Sequence, residues 1–136
     1  MYQIKTVVTW TGALALALAS SIALAQAVPA GAWKGAAQVG GKPVRIDVAF
    51  QGDAADVRFG SPYDCRIGGK YAGKQQDAAI YAFGVSVAGG QPCNNLSATG
   101  RMAMTSSADR KLHLTIDEKT RDGVRHWQAD LEPAAP

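Results

Sequence analysis

The sequence predicts an all-β fold: about eight antiparallel strands in a meander closing into a small barrel, with a two-sheet β-sandwich as the alternative. Three observations predict it. Short apolar runs alternate with a period of two, short Gly- and Asp-rich turns separate them, and no helix-period segment exceeds two turns. Short connections favour antiparallel neighbours, because a parallel crossover needs a dozen or more residues and usually a helix. Eight strands can close on themselves, which removes exposed sheet edges.

Residues 1–27 read as a cleaved signal peptide. Lys5 supplies a basic start, an Ala/Leu stretch follows, and Ala25-Gln26-Ala27 has the small-x-small pattern that a signal peptidase cuts. No cysteine lies near that site, so the expected product is not a lipoprotein, is periplasmic or secreted, and is bacterial in type, with no membrane insertion after cleavage. The remaining 109 of the 136 residues suffice for one domain, expected over 28–132, with 133–136 a frayed tail.

The run AWKGAAQV opens the domain. PVRIDVAF sets Val44, Ile46, Val48 and Phe50 on one face against Arg45, Asp47 and Ala49 on the other. Val57 and Phe59 flank Arg58, and Ser61-Pro62 breaks the chain. Tyr63, Cys65 and Ile67 then share a face. GGKYAGKQQD, residues 68–77, has no period and is expected to be an exposed, mobile loop. AIYAFGVSV sets Tyr81, Phe83, Val85 and Val87 inward. Leu96, Ala98, Met102 and Met104 alternate with Ser97, Thr99, Arg101 and Thr105, which predicts one strand with Gly100 on the inner face as a bend or bulge. RKLHLTI directs Leu112, Leu114 and Ile116 inward, DEKTRDG is a polar turn, and VRHWQADL places Trp127, Ala129 and Leu131 on one face. The inner face thus mixes Phe50, Phe59, Phe83 and Trp127 with Met102, Met104, Ala98 and Gly100, a set compatible with a filled core or a narrow apolar cavity.

Cys65 and Cys93 are the only cysteines, so only one pairing exists. In an oxidising compartment the expected product is a disulfide closing a loop of roughly 30 residues, worth about 3–4 kcal/mol in the chain-entropy model. The alternatives are a metal or redox ligand and a nucleophile. A nucleophile requires a partner base and a low-pKa thiolate.

Gly31-Ala32-Trp33 resembles the G-x-W signature of the lipocalin and calycin barrels, in which a first-strand tryptophan closes one end beneath a last-strand arginine. Arg125 shares the inward parity of Trp127, so the resemblance implies that Arg125 stacks on Trp33. The later T-D-x-x-Y signature of that family is absent. Ser97-Ala98-Thr99-Gly100-Arg101 and Tyr63-Asp64-Cys65 are similar to segments of the small periplasmic lysozyme inhibitors. That likeness implies an inhibitor inserting a loop into an enzyme cleft, although Met102-Ala103 stands where those proteins carry a tyrosine.

If Asp117 pairs with Asp122 across a four-residue turn, His113 lies opposite His126 on the outer face, within reach of a shared metal. A zinc site needs three or four ligands, and no third carboxylate or thiolate is expected nearby, so no metal and no cofactor is expected. The pattern G-x-S-x-G is broken by Ala88 in GVSVAG at 84–89, and the Gly-Gly pairs look like strand connections rather than phosphate cradles. Asn95-Leu96-Ser97 matches a glycosylation sequon that matters only in a eukaryotic secretory pathway. Lys5 apart, 13 Lys/Arg face 11 Asp/Glu, interspersed, which argues against a nucleic-acid partner.

The reading is an exported binding protein without catalytic activity. It binds or inhibits another protein through loops 68–77 and 88–95, where Lys70, Tyr71, Lys74, Gln91, Asn94 and Asn95 are the candidate contacts. The alternative is a calycin-like carrier of a small apolar ligand in the barrel interior.

Overall fold

The computed structural model describes residues 29–134, so the signal-peptide reading lies outside the described residues. Eight antiparallel strands form a closed barrel in sequence order: β1 (Gly31–Val39), β2 (Lys42–Gln51), β3 (Ala54–Phe59), β4 (Cys65–Gln75), β5 (Ala78–Val87), β6 (Arg101–Ser106), β7 (Leu112–Thr120) and β8 (Gly123–Pro133). One helix, α1 (Gln91–Thr99), stands between β5 and β6. The barrel predicted from the alternating runs is therefore the observed architecture, and the sandwich is not.

The alternation is cleanest where it was easiest to read. Val44, Ile46, Val48 and Phe50 of β2 are all buried, as are Leu112, Leu114 and Ile116 of β7 and Trp127, Ala129 and Leu131 of β8. The interior is filled by side chains. Phe59 meets Trp127 edge-on with ring centroids 5.5 Å apart, Tyr63 meets Trp127 at 4.9 Å, and Phe50 and Tyr81 lie 5.4 Å apart.

Closure depends on one glycine. β8 returns to β1 through the pairs Trp33 with Pro133 and Lys34 with Glu132, and the Ala134 amide donates to the Ala32 carbonyl at 2.8 Å. A Cβ at Gly35 would lie 2.5 Å from the Asp130 carbonyl oxygen and 2.8 Å from a Leu131 methyl, closer than real contacts allow. Gly35→Ala is accordingly expected to lower the thermal midpoint and to raise amide exchange along β1 and the end of β8, with the β2–β3 pair spared. An unchanged midpoint would show that the seam has slack. The same pairing corrects the expected frayed tail at Pro133 and Ala134, which belong to the seam, while 135–136 lie outside the described residues.

Three other expectations are corrected. Residues 68–77 are no loop: β4 runs to Gln75, and only Gln76 and Asp77 turn back into β5. Aperiodicity there has a cause, because the β4–β5 ladder slips twice, between Ile67 and Gly69 and between Tyr71 and Gly73. The first slip changes the fate of β5. Between the pairs Gly69 with Phe83 and Ile67 with Ser86, β5 carries one residue more than β4, a bulge that turns the following side chains to the opposite face. Ser86 faces inward opposite buried Ile67, while Val85 and Val87, expected in the core, are 86% and 64% exposed.

The third correction is the helix. Residues 96–105, expected as one strand, divide into the end of α1 and the start of β6. Cys93 and Leu96, three residues apart, share the buried face of α1, whereas Ala98 is exposed and Gly100 caps the helix by donating to the Leu96 carbonyl at 2.7 Å. Pro92 in the first turn suits a helix start, where no N–H is required. Its nine residues, at about 1.5 Å each, span about the length of four strand residues. α1 therefore fills the wall where β6 stops short, between the far ends of β5 and β7.

Candidate functional site

The wall segment made by α1 and the end of β5 is the most unusual part of the surface. From Ala78 to Gly100 the chain carries no charged side chain, while charges recur everywhere else in the domain. On this stretch Ala82, Gly84, Val85, Val87, Ala88, Pro92, Asn94 and Ala98 are exposed. A shallow groove of about 480 Å³ runs between the two elements, lined by Phe83, Gly84, Val85 and Ser86 on one side and Asn94, Ser97 and Ala98 on the other.

Side chains bolt α1 into the wall in place of a strand's hydrogen-bond ladder. The Ser97 hydroxyl donates to the Gly84 carbonyl of β5. The Asn95 amide donates to the Lys119 carbonyl of β7 at 3.0 Å, and the Lys119 amide donates to Thr99 Oγ1 at 3.1 Å. The Cys65–Cys93 disulfide fastens the start of the helix to β4, with both residues buried. Gly89, at φ +81°, packs against that bridge; a Cβ there would lie 2.5 Å from Cys93 Sγ and 2.7 Å from Cys65 Cβ. With its sulfur bonded and no thiol free among the described residues, Cys93 is a staple rather than a nucleophile or ligand.

Behind the helix sits the only buried ionic side chain among the described residues, Glu118 of β7, 3% exposed. Its Oε1 lies 3.6 Å from Arg125 Nη1, and that nitrogen donates to the Tyr63 hydroxyl at 3.2 Å. Its Oε2 has no hydrogen-bond partner, nor does the Trp127 indole nitrogen on the neighbouring strand. Burial pushes the Glu118 carboxyl above the usual carboxylate range, opposed by the Arg125 charge and the Asn95 amide. The fold thus disfavours the ionised form. The associated stability is fully present below the unfolded value, about 4.3, and is lost as pH rises through the higher folded value. Glu118→Gln is therefore expected to melt above the parent at pH 7, with the gap closing below about pH 4. A gap that widened in acid would reverse this assignment.

The structure distributes the other expected site residues differently from the sequence reading. Lys70, Tyr71 and Lys74 lie on β4 rather than on a loop, and Tyr71 is half-buried with its ring 5.8 Å from Tyr81. Gln91, Asn94 and Asn95 lie on α1; Asn94 lines the groove, whereas Asn95 is half-buried and used to hold the helix. Trp33 donates through its indole nitrogen to the Ala30 carbonyl at 2.8 Å and lines a separate recess of about 260 Å³ with Asp47, Asp56 and Arg58. It pairs with Pro133, eight residues along β8 from Arg125, so the two side chains occupy opposite ends, roughly 26 Å apart. The stacking implied by the lipocalin resemblance is absent, and Arg125 serves Glu118 and Tyr63 instead. The segment similar to the lysozyme inhibitors, Ser97 to Arg101, forms the end of α1 and the first residue of β6 rather than a projecting loop.

The histidines are also separated. The β7–β8 hairpin turns at Arg121-Asp122, with Thr120 paired to Gly123, two residues tighter than expected; this moves the register so that His113 faces Asp130 and His126 faces Asp117. Each histidine meets that aspartate, at 2.8 Å and 2.6 Å. The two rings sit four positions apart along the hairpin, about 13 Å, too far to share a metal. No cluster of three or more metal-ligating side chains occurs among the described residues.

Sequence reasoning missed Val85, Val87 and Ala98 as surface groups. The signal that could have found them is the uncharged run itself, since a half-exposed strand and turn normally carry charges on the solvent side. Comparison with known proteins returns no matching family model, curated protein or solved structure.

Proposed function

We propose that this is an exported, non-catalytic binding protein of the bacterial envelope or extracellular space, which docks another protein on the face built by α1 and the end of β5. The observation that carries the reading is the exposure of Val85 and Val87 on a stretch of chain, 78–100, that carries no charged side chain. Isolated exposed apolar groups are ordinary, but a bulge that turns two β-branched residues outward beside a groove creates a contiguous patch of the kind that marks interaction sites. The bolted helix supports the same reading, because a rigid platform loses little entropy when a partner binds. The disulfide is compatible with export.

The carrier alternative draws less support. Trp127, Tyr81, Ile46, Ile67, Met102, Met104, Leu114 and Ile116 all lie at 2% exposure or less and fill the interior that a ligand would need.

The test is site-specific photo-crosslinking in the native compartment. A crosslinker in place of Val85 is expected to give a discrete heteromeric adduct, and one in place of exposed Gln38 on β1 is expected to give none. Adducts of equal yield at both positions would remove the docking role. In the same assay Val85→Asp, next to the probe placed at Val87, is expected to reduce the adduct at least tenfold while leaving the thermal midpoint within about 2 °C. A fully exposed substitution has little effect on stability.

A further inference from the structure

The charges that border the uncharged face say which kind of segment it accepts. Ala82, outward on β5, is flanked across the sheet by Lys70 of β4 on one side and Arg101 of β6 on the other. All three are exposed. With strands about 4.8 Å apart, the two cations straddle Ala82 at roughly 10 Å between their Cα atoms, near enough for their long side chains to converge above it.

Neither cation has an ion-pair partner among the described residues, although neighbouring cations do. Arg66 is held by Asp56 at 2.6 Å, and Arg45 by Asp47 at 3.0 Å. The carboxylate next in the row, Asp117 opposite Arg101, is engaged by His126 at 2.6 Å. The row across the barrel therefore reads cation, alanine, cation, then an aspartate whose contact is with His126 rather than with Arg101. Val85 lies three residues from Ala82 along β5, about 10 Å away, and the groove with its Asn94 amide begins beside it.

Resting on the reading of this face as a docking surface, we infer that its occupant is an extended segment of another protein, uncharged and apolar along β5 and ending in an acidic side chain between Lys70 and Arg101. The apolar part covers Val85, Phe83 and Ala98. The exposed Asn94 amide that lines the groove is placed to meet the segment's backbone. The acidic side chain supplies the counter-charge that Lys70 and Arg101 lack, which selects the direction in which the segment lies.

Selection of displayed random 12-residue peptides on the disulfide-bonded protein tests both levels. The expected outcome is a set of uncharged apolar sequences enriched in Asp or Glu at one end. Their binding is abolished by Val85→Asp and reduced about tenfold by the double change Lys70→Glu and Arg101→Glu, which should also turn the preference toward basic ends. Selected peptides that depend on Val85 but show no acidic preference would overturn this inference while leaving the docking face standing. Failure to select any peptide, or selection indifferent to Val85→Asp, would overturn both. A sedimentation result showing dimers abolished by Val85→Asp would assign the face to a second copy of the chain, and the inferred occupant would be wrong.

Discussion

Replacing Cys65 and Cys93 together by alanine is expected to lower the stability of the protein by about 3–4 kcal/mol, equivalent to a fall in thermal midpoint on the order of 15 °C for a domain of this size. The bridge spans a sequence separation of 28, long enough that opening it restores much freedom to the unfolded chain. It also restrains α1 at its start, where Cys93 is fully buried. Without the bridge the helix is held by Ser97, Asn95, Thr99 and the buried Leu96, all toward its far end. Amide exchange in residues 90–96 should therefore rise more than in β7 or β8. A double variant that melts within 3 °C of the parent would show that packing of Leu96 and the side-chain bolts suffice. By comparison, the exposed Arg45–Asp47 pair belongs to a class worth at most about 1 kcal/mol.

Trp127→Ala is expected to cost about 3–5 kcal/mol, the range for truncating a large buried aromatic. Trp127 is fully buried and its ring touches both Phe59 of β3 and Tyr63 in the turn before β4, so its removal opens a void that these neighbours cannot close without moving the barrel wall. Trp127→Phe should cost much less. It keeps most of the apolar contact and also removes an indole N–H that has no acceptor. Equilibrium unfolding in urea, with the midpoint and slope compared among the three proteins, reads both changes. If Trp127→Ala lost less than about 1 kcal/mol, the interior would be loosely filled, and the carrier reading would regain its footing.

Residues that interact only with their own sequence neighbours and with a common interior were legible in advance. The strict alternation of Val44 to Phe50, Leu112 to Ile116 and Trp127 to Leu131 reports burial on one side whatever the partner strands are, so the strand faces there follow from the local pattern. The antiparallel meander of about eight strands followed from the count of such runs and the shortness of their connections, and the bridge from there being only two cysteines, whereas the choice of barrel over sandwich came from the β1–β8 pairing. At the site, Asn94 and Lys70 were named in advance as candidate contacts because both fall in stretches read as loops. The sequence reading assigned both to loops, whereas the structure places Lys70 in a strand and Asn94 in a helix.

What tertiary structure decided is where ladders slip and which strands meet. Val85 and Val87 continue a faultless inward alternation in the sequence, yet one extra residue in β5 against β4 turns them to solvent. The helix escaped notice because Cys93, Leu96 and Ala98 fit a spacing of three about as well as a spacing of two over so few residues. What settled it was the gap between β5 and β7 and the need to bring Cys93 to Cys65. Trp33 and Arg125 share inward parity but not the same end of the barrel, since parity is local and the β1–β8 register is not. The sequence by itself therefore determined an alternating, antiparallel, once-stapled β domain, and the return of β8 to β1 made it a barrel. Only the pairing of distant strands decided which of its apolar residues became core and which became surface, because a period of two records a side chain's face relative to its neighbours and carries no memory of where a partner strand inserts a residue.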